Sequence, residues 1–144
     1  MLGLLLGSVS CPLAVQLLAT EPLGGSTGAE RARDEVLDIE APRIVRDLDV
    51  ASPDPGNLGP AAVAWLARHF RNAGDAVLRS SSMPGRPRAE TVAGSIDVRL
   101  VRTAPGDVLS GSTESETITI CLRFETRWSD TYGARTSFGQ IGCP

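Results

Sequence analysis

The chain has 144 residues, a formal net charge of −3 and 42% hydrophobic residues, which leaves room for one small domain. All 14 basic residues are arginine and none is lysine. With abundant Ala, Gly, Pro and Asp, that reads as GC-rich codon usage, and no aromatic-interleaved basic stripe accompanies it, so nucleic acid is set aside as a partner.

Met1–Thr20 contains no charged side chain and just reaches the roughly 20 residues a membrane helix needs. Pro12 and Gln16 weaken that reading. A signal peptide would begin with basic residues, which are missing, yet Ser8 and Ser10 satisfy the small-residue rule for cleavage before Cys11. Cys11 is also a candidate for lipidation, because cleavage before a cysteine resembles a bacterial lipoprotein site, although Ser8 stands where that pattern has leucine. A buried structural helix is the fourth reading. The membrane anchor is the working expectation, and the late first arginine, Arg31, suits translocation of the downstream chain. The first three readings place the domain outside the cytoplasm, with the membrane as a partner through this segment. Residues 21–28 then form a flexible tether, and 29–144 a single α+β domain.

Thr27 and Glu30 have the spacing of a capping box at a helix start. Ala29, Ala32, Val36, Leu37 and Ile39 follow as an approximate helical stripe. Pro42 predicts a stop near Glu40, or a restart with the proline in its first turn. Residues 44–50 are read as helical, and 52–57 as a loop rich in Pro, Asp and Gly. The strongest helix is predicted over Gly59–Arg79, with Val63, Leu66, Phe70, Ala73 and Val77 on one face. Arg71–Asp75 and Asp75–Arg79 are spaced for weak ion pairs along it, and residues 80–88 read as an exposed connection.

From there the period changes to two. Strands are predicted at about Thr91–Thr103, around Ile118–Glu125, and at about Ala134–Ile141, with a reversal within Trp128–Tyr132. The order predicts two helices packed on a small antiparallel sheet of about three strands, preceded by an apolar N-terminal helix. Cys121 and Cys143 are the only cysteines beyond the leader, and a disulfide between them is expected. Cys121 points away from the face carrying Ile118, Ile120, Leu122 and Phe124, so the bridge would clasp the terminus onto the outer face. A turn centred near Asp130 sets Cys121 opposite Ser137–Gln140, so the terminus would have to bend back to meet disulfide geometry. Leu, Val, Ile and Phe make up only about a fifth of the chain after the leader, a lean core for which a crosslink matters.

Charge is unevenly spread, with an acidic stretch from Glu30 to Asp54 and an arginine-rich one from Pro55 to Ala104. The simplest reading is two solvated faces. The sharper one is a basic surface for anionic lipid or envelope polymer, with Arg68, Arg71, Arg79, Arg86 and Arg88 as candidate contacts. Catalytic signals are sparse. His69 is the only histidine, so any Ser–His–Asp or Cys–His system must use it, and no nucleophile elbow accompanies it. Multi-histidine metal sites are excluded by the same count, and the cysteines lack zinc-site or CxxC spacing. Asp34 and Asp38 share a helix face, where they form a candidate acid pair or are held by the helix dipole. No glycine-rich loop has a phosphate-cradling context, so no cofactor is expected. The polar connection Pro105–Ser115 reads as a hairpin loop, with recognition as its alternative.

The apolar N-terminus, an Ala/Arg/Glu helix, a second helix, the Thr119–Phe124 strand Thr-Ile-Cys-Leu-Arg-Phe and the final Gly-Cys-Pro together resemble small exported or membrane-anchored proteins of high-GC Gram-positive bacteria. The resemblance is one of layout across most of the chain; it implies an extracytoplasmic location and carries no activity. A non-catalytic envelope domain with a binding or structural role is therefore expected, its partner an envelope polymer or another envelope protein. The alternatives are a small hydrolase or transferase using carboxylates such as Asp34 and Asp38, and an α+β domain holding an apolar ligand between helix and sheet.

Overall fold

The computed structural model describes residues 27–51, 54–106 and 114–144. The apolar leader with Cys11, nearly all of the tether and the middle of the 105–115 connection lie outside the described residues.

The capping box forms as its spacing predicts. The Thr27 hydroxyl accepts from the Glu30 N–H at 3.1 Å, and the Glu30 carboxylate accepts from the Thr27 N–H at 2.8 Å. This starts a first helical unit running over 28–50: α1 (Gly28–Asp34), a π-helical segment (Glu35–Glu40) and α2 (Ala41–Val50). Pro42 does not end it. The Ala41 N–H donates to the Val36 carbonyl, five residues back, so a widened turn comes just before the proline and Pro42 falls in the first turn of α2. A widened turn relieves the contact between the proline ring and the carbonyl four residues earlier, which would otherwise break the helix. Ala32, Val36, Ala41, Ile44 and Leu48 bury one side of the unit.

The second helical unit, α3 (Leu58–Asn72), is shorter than the sequence predicts. Gly74, at φ 83°, reverses the chain. The Asp75 N–H donates to the Phe70 carbonyl at 2.9 Å and the Gly74 N–H to that of Arg71 at 3.1 Å, the paired bonds of a Schellman stop. Residues beyond it become an unforeseen strand, β1 (Ala76–Ser82). The expected pairing of Asp75 with Arg71 or Arg79 along a helix is therefore replaced by a contact with β2.

With β2 (Val92–Ala104), β3 (Glu116–Ser129) and β4 (Gly133–Ile141), the sheet has four strands, not three, in the antiparallel order β1-β2-β3-β4. Ile96, Val98, Leu100, Ile120, Leu122 and Phe124 project from one face, where they join Ala62, Leu66 and Phe70 of α3 and the buried side of the first unit. Phe124 lies between Phe70 and Phe138, at centroid distances of 5.2 and 5.8 Å. This cluster occupies the centre of the helix–sheet interface, and a hollow of about 210 Å³ remains beside α1, lined by Ala29, Arg33, Ile118, Ile120 and Gln140. At the start of α3 the approach is backbone to backbone: a Cβ on Gly59 would overlap the Ala93 carbonyl oxygen.

Arg102 of β2 ties three elements together. Its Nη1 and Nη2 donate to the two Asp75 oxygens at 2.6 and 2.9 Å, and its Nε donates to Glu40 Oε2 at 3.0 Å. The Asp75 side chain is only 4% exposed, so its charge depends on this fork. Asp75 first, then Glu40, holds the guanidinium pKa above its ordinary value.

The disulfide joins Cys121 to Cys143 with a Cα–Cα separation of 5.2 Å. The register differs from the simple count. Ser129 pairs with Gly133, so the turn centres on Thr131, and Cys121 faces Ile141 rather than Ser137–Gln140. Cys143 lies two residues past that partner, and the bridge ties the end of the chain back to β3.

Gly59→Ala is expected to lower stability by about 1–3 kcal/mol, because the methyl group forces helix and sheet apart; chemical denaturation that leaves the midpoint unmoved would contradict the close approach. Arg102→Ala is expected to cost about 3 kcal/mol, since it leaves a buried carboxylate unpaired. Adding Asp75→Asn to that variant should recover part of the loss in the same measurement.

Candidate functional site: the outer face of the sheet

The pleat that sends Ile120, Leu122 and Phe124 inward sends Thr119, Cys121, Arg123, Glu125 and Arg127 outward. Register extends this outer face to Arg79 on β1, Asp97 and Arg99 on β2, and Arg135, Ser137, Gly139 and Ile141 on β4. Among the described residues the helices pack on the opposite face. Five arginines (Arg79, Arg99, Arg123, Arg127 and Arg135) thus share this face with two acids, Asp97 and Glu125.

Ion pairs order the central rows. Arg123 Nε and Nη2 donate to the Asp97 oxygens at 2.7 and 2.8 Å, and Arg79 flanks Asp97 from the other neighbouring strand. The Arg123 hydrogen bonds hold the Asp97 carboxyl below its ordinary range, and Asp97 in turn raises the Arg123 pKa. Arg127 Nη2 donates to Glu125 at 2.8 Å, while its Nη1 donates to the Glu90 carbonyl at 3.1 Å. Arg135 sits directly opposite Arg127 and lies 4.3 Å over the Tyr132 ring.

Two hollows follow β3 and β4 on this face. One, of about 270 Å³, is lined by Arg123, Glu125, Ser137 and Gly139, where the missing side chain opposite Arg123 leaves space. The other, of about 440 Å³, is lined by Glu90, Arg127, Ser129, Tyr132, Arg135 and Ser137. They meet at Ser137 and form one track along the strands.

The arginines expected to form a single contact patch are divided. Arg68 and Arg71 are exposed on α3, which covers the inner face. Arg79 is on the outer face. Arg86 and Arg88 belong to the β1–β2 connection, where the Arg86 guanidinium lies 5.6 Å from the Trp128 ring centroid and the Arg88 carbonyl accepts from the Thr91 hydroxyl at 2.6 Å. Sequence reasoning missed Arg99, Arg123, Arg127 and Arg135. For Arg123 and Arg127 the signal was available in the parity already assigned to Cys121, and for Arg99 in its alternation with Val98 and Leu100; Arg135 is placed by the β3–β4 register.

Asp34 and Asp38 are both exposed on the first helical unit, and neither lines the hollows described above. The His69 ring stacks on Trp65 at 5.3 Å and meets Phe70 edge-on at 5.4 Å, a packing role at the helix surface. Among the described residues no group of three or more His, Cys, Asp or Glu side chains is arranged to hold a metal ion.

A separate polar feature lies where α2 meets β4. Thr126 and Thr136 are buried and share a 3.0 Å hydrogen bond. Beside them Asp49 Oδ1 is buried with no hydrogen-bond partner among the described residues. Burial pushes the Asp49 carboxyl up from its ordinary value, with Thr136 and Arg135 pulling the other way.

Comparison of the chain with protein-family models, curated proteins and solved structures found no match.

Because the Asp49 pKa is raised on folding, its ionisation favours the unfolded chain. Below the ordinary carboxyl value of 3.8 the group is protonated in both states; the penalty appears as pH rises through the higher folded value. Asp49→Asn is therefore expected to raise the melting temperature at pH 7 and to change it little at pH 3. A loss of stability at pH 7 would contradict this account.

Proposed function

We propose that this chain is a non-catalytic binding domain of the cell envelope, exported or tethered through its N-terminal segment, which receives an anionic polymer along the outer face of its sheet. The observation that carries the reading is the partition of charge across the sheet. Arg79, Arg99, Arg123, Arg127 and Arg135 share one side with Asp97 and Glu125, the last three arginines lining the track itself, while the helices on the other side carry seven acids against six arginines. A protein with net charge −3 that segregates its charges in this way is a dipole, and it orients an approaching polyanion toward the arginine side.

Individual exposed arginines contribute little to binding. Several along one track act together, and the attraction weakens as salt shortens the screening length to about 8 Å at physiological ionic strength. The ion pairs with Asp97 and Glu125 do not consume the face. They hold Arg123 and Arg127 in place, leaving Arg79 and Arg99 to meet a ligand.

The extracytoplasmic part of the proposal draws on the disulfide, which persists in oxidising compartments. Among the described residues no helix is long and apolar enough to cross a membrane; the anchoring part of the proposal draws on the uncharged stretch Met1–Thr20.

The test is retention of the purified domain on an immobilised anionic polysaccharide at increasing salt. Arg79→Glu with Arg99→Glu should weaken retention at least tenfold at low salt, whereas Arg43→Glu with Arg46→Glu on α2 should not. Equal losses from both pairs, or retention that salt does not weaken, would reject the reading.

A further inference from the structure

The lower part of the track contains an arrangement that a generic basic surface does not need. Arg127 and Arg135 are directly opposed on β3 and β4, and like charges in that position destabilise a sheet unless something bridges them. Their guanidinium groups are nonetheless held in place. Arg127 is fixed by Glu125 and by the Glu90 carbonyl, and Arg135 by its 4.3 Å stacking on Tyr132.

Each arginine carries five N–H donors. Arg127 uses two groups on protein acceptors, and Arg135 makes no hydrogen bond among the described residues. The unused donors border the hollow of about 440 Å³, together with Ser129, Ser137 and the 69% exposed Tyr132. Glu90 lines the hollow as well. It supplies its carbonyl to Arg127, and among the described residues its carboxylate forms no ion pair with either arginine.

Glu90 also has φ 62°, a left-handed conformation that costs a residue other than glycine about 1 kcal/mol or more. The strain is maintained by two contacts: the Glu90 N–H donates to the Trp128 carbonyl at 2.8 Å, and the Glu90 carbonyl accepts from Arg127. The strained residue is therefore part of the scaffold that aims Arg127 into the hollow.

We propose that this cleft is a phosphate-group subsite, in which the opposed Arg127 and Arg135 forks clamp one phosphate of a phosphorylated envelope glycan. The assignment rests on the polymer-face reading above and makes its ligand specific. Two forks approaching from adjacent strands require an acceptor that presents oxygens in two directions. A tetrahedral phosphate does so and keeps further oxygens for the neighbouring hydroxyls, whereas a carboxylate has only two oxygens in one plane to share between both forks. Binding removes the repulsion between the arginines, and the Ser129 and Ser137 hydroxyls are placed to donate to the remaining oxygens. The exposed Tyr132 ring at the rim offers a flat surface to the sugar that bears the phosphate.

The experiment is an amide-resolved NMR titration of the intact protein with inorganic phosphate, a hexose phosphate, acetate, and a glycan linked through phosphodiesters. Phosphate and hexose phosphate are expected to shift Ser129, Tyr132, Arg135 and Ser137, with acetate at least tenfold weaker. Arg135→Gln should weaken phosphate binding at least tenfold. Arg135→Lys, which keeps the charge and loses the fork, should recover only part of the affinity. If phosphate leaves these amides unmoved while the glycan still binds the arginine face, the cleft assignment is overturned and the polymer reading stands. If phosphate binds here and the glycan does not bind at all, the phosphate site is supported with a free phosphorylated ligand as its occupant, and the polymer reading falls. Acetate binding as tightly as phosphate overturns the assignment.

Discussion

The pleat of β3 is the constraint on which the rest of the structure depends. Its even-numbered residues Ile120, Leu122 and Phe124 are buried against the helices, and its odd-numbered Cys121, Arg123, Glu125 and Arg127 face the other way. A slip of one residue would exchange the two sets. The core, the disulfide position and the arginine face are therefore three consequences of one register. The Phe70–Phe124–Phe138 row holds that register from the inner side, and the Arg123–Asp97 pair holds it from the outer side.

The helices are fixed to the sheet by devices that add little apolar area, which matters in a chain with so few large hydrophobic residues. The glycine contact between the start of α3 and β2 lets backbones meet where side chains would hold them apart. Arg102 draws the π-helical segment and the α3–β1 junction to β2 through Glu40 and Asp75. A buried charged group of this kind is weak support for stability by itself, yet it strongly penalises any packing that separates its partners. With the Cys121–Cys143 link on the opposite face of the sheet, a lean core is held at several points around its perimeter.

Much of this was legible in the sequence where local chemistry decides the outcome. The capping box at Thr27 and Glu30, the alternation of β2 and β3, and the outward direction of Cys121 each follow from residue type and spacing. The reading failed where tertiary structure supplies the missing term. Val77 continued the helical stripe of Val63, Leu66 and Phe70, but Gly74 ended the helix and released Val77 to pair with Val98. Pro42 does fall in the first turn of a new α-helical segment, one of the two outcomes its position predicted, but the π turn that joins that segment to α1 without a break was not foreseen. The candidate surface was lost for a different reason. Arginines were grouped by nearness in sequence, so Arg68 and Arg71 were joined to Arg79 across a sheet that separates them. Grouping by strand parity instead collects Arg99, Arg123 and Arg127, and the observed register adds Arg135 and Arg79.

The functional account stands on one claim, that the arginine side of the sheet is where an anionic partner sits. Arginine-selective modification with phenylglyoxal, read by peptide mass spectrometry with and without an anionic envelope polymer, tests it most directly. The account predicts protection of Arg79, Arg99, Arg127 and Arg135, while Arg43, Arg46, Arg68 and Arg71 on the helices react as before. Protection confined to the helical arginines, or no difference between the two faces, would contradict it.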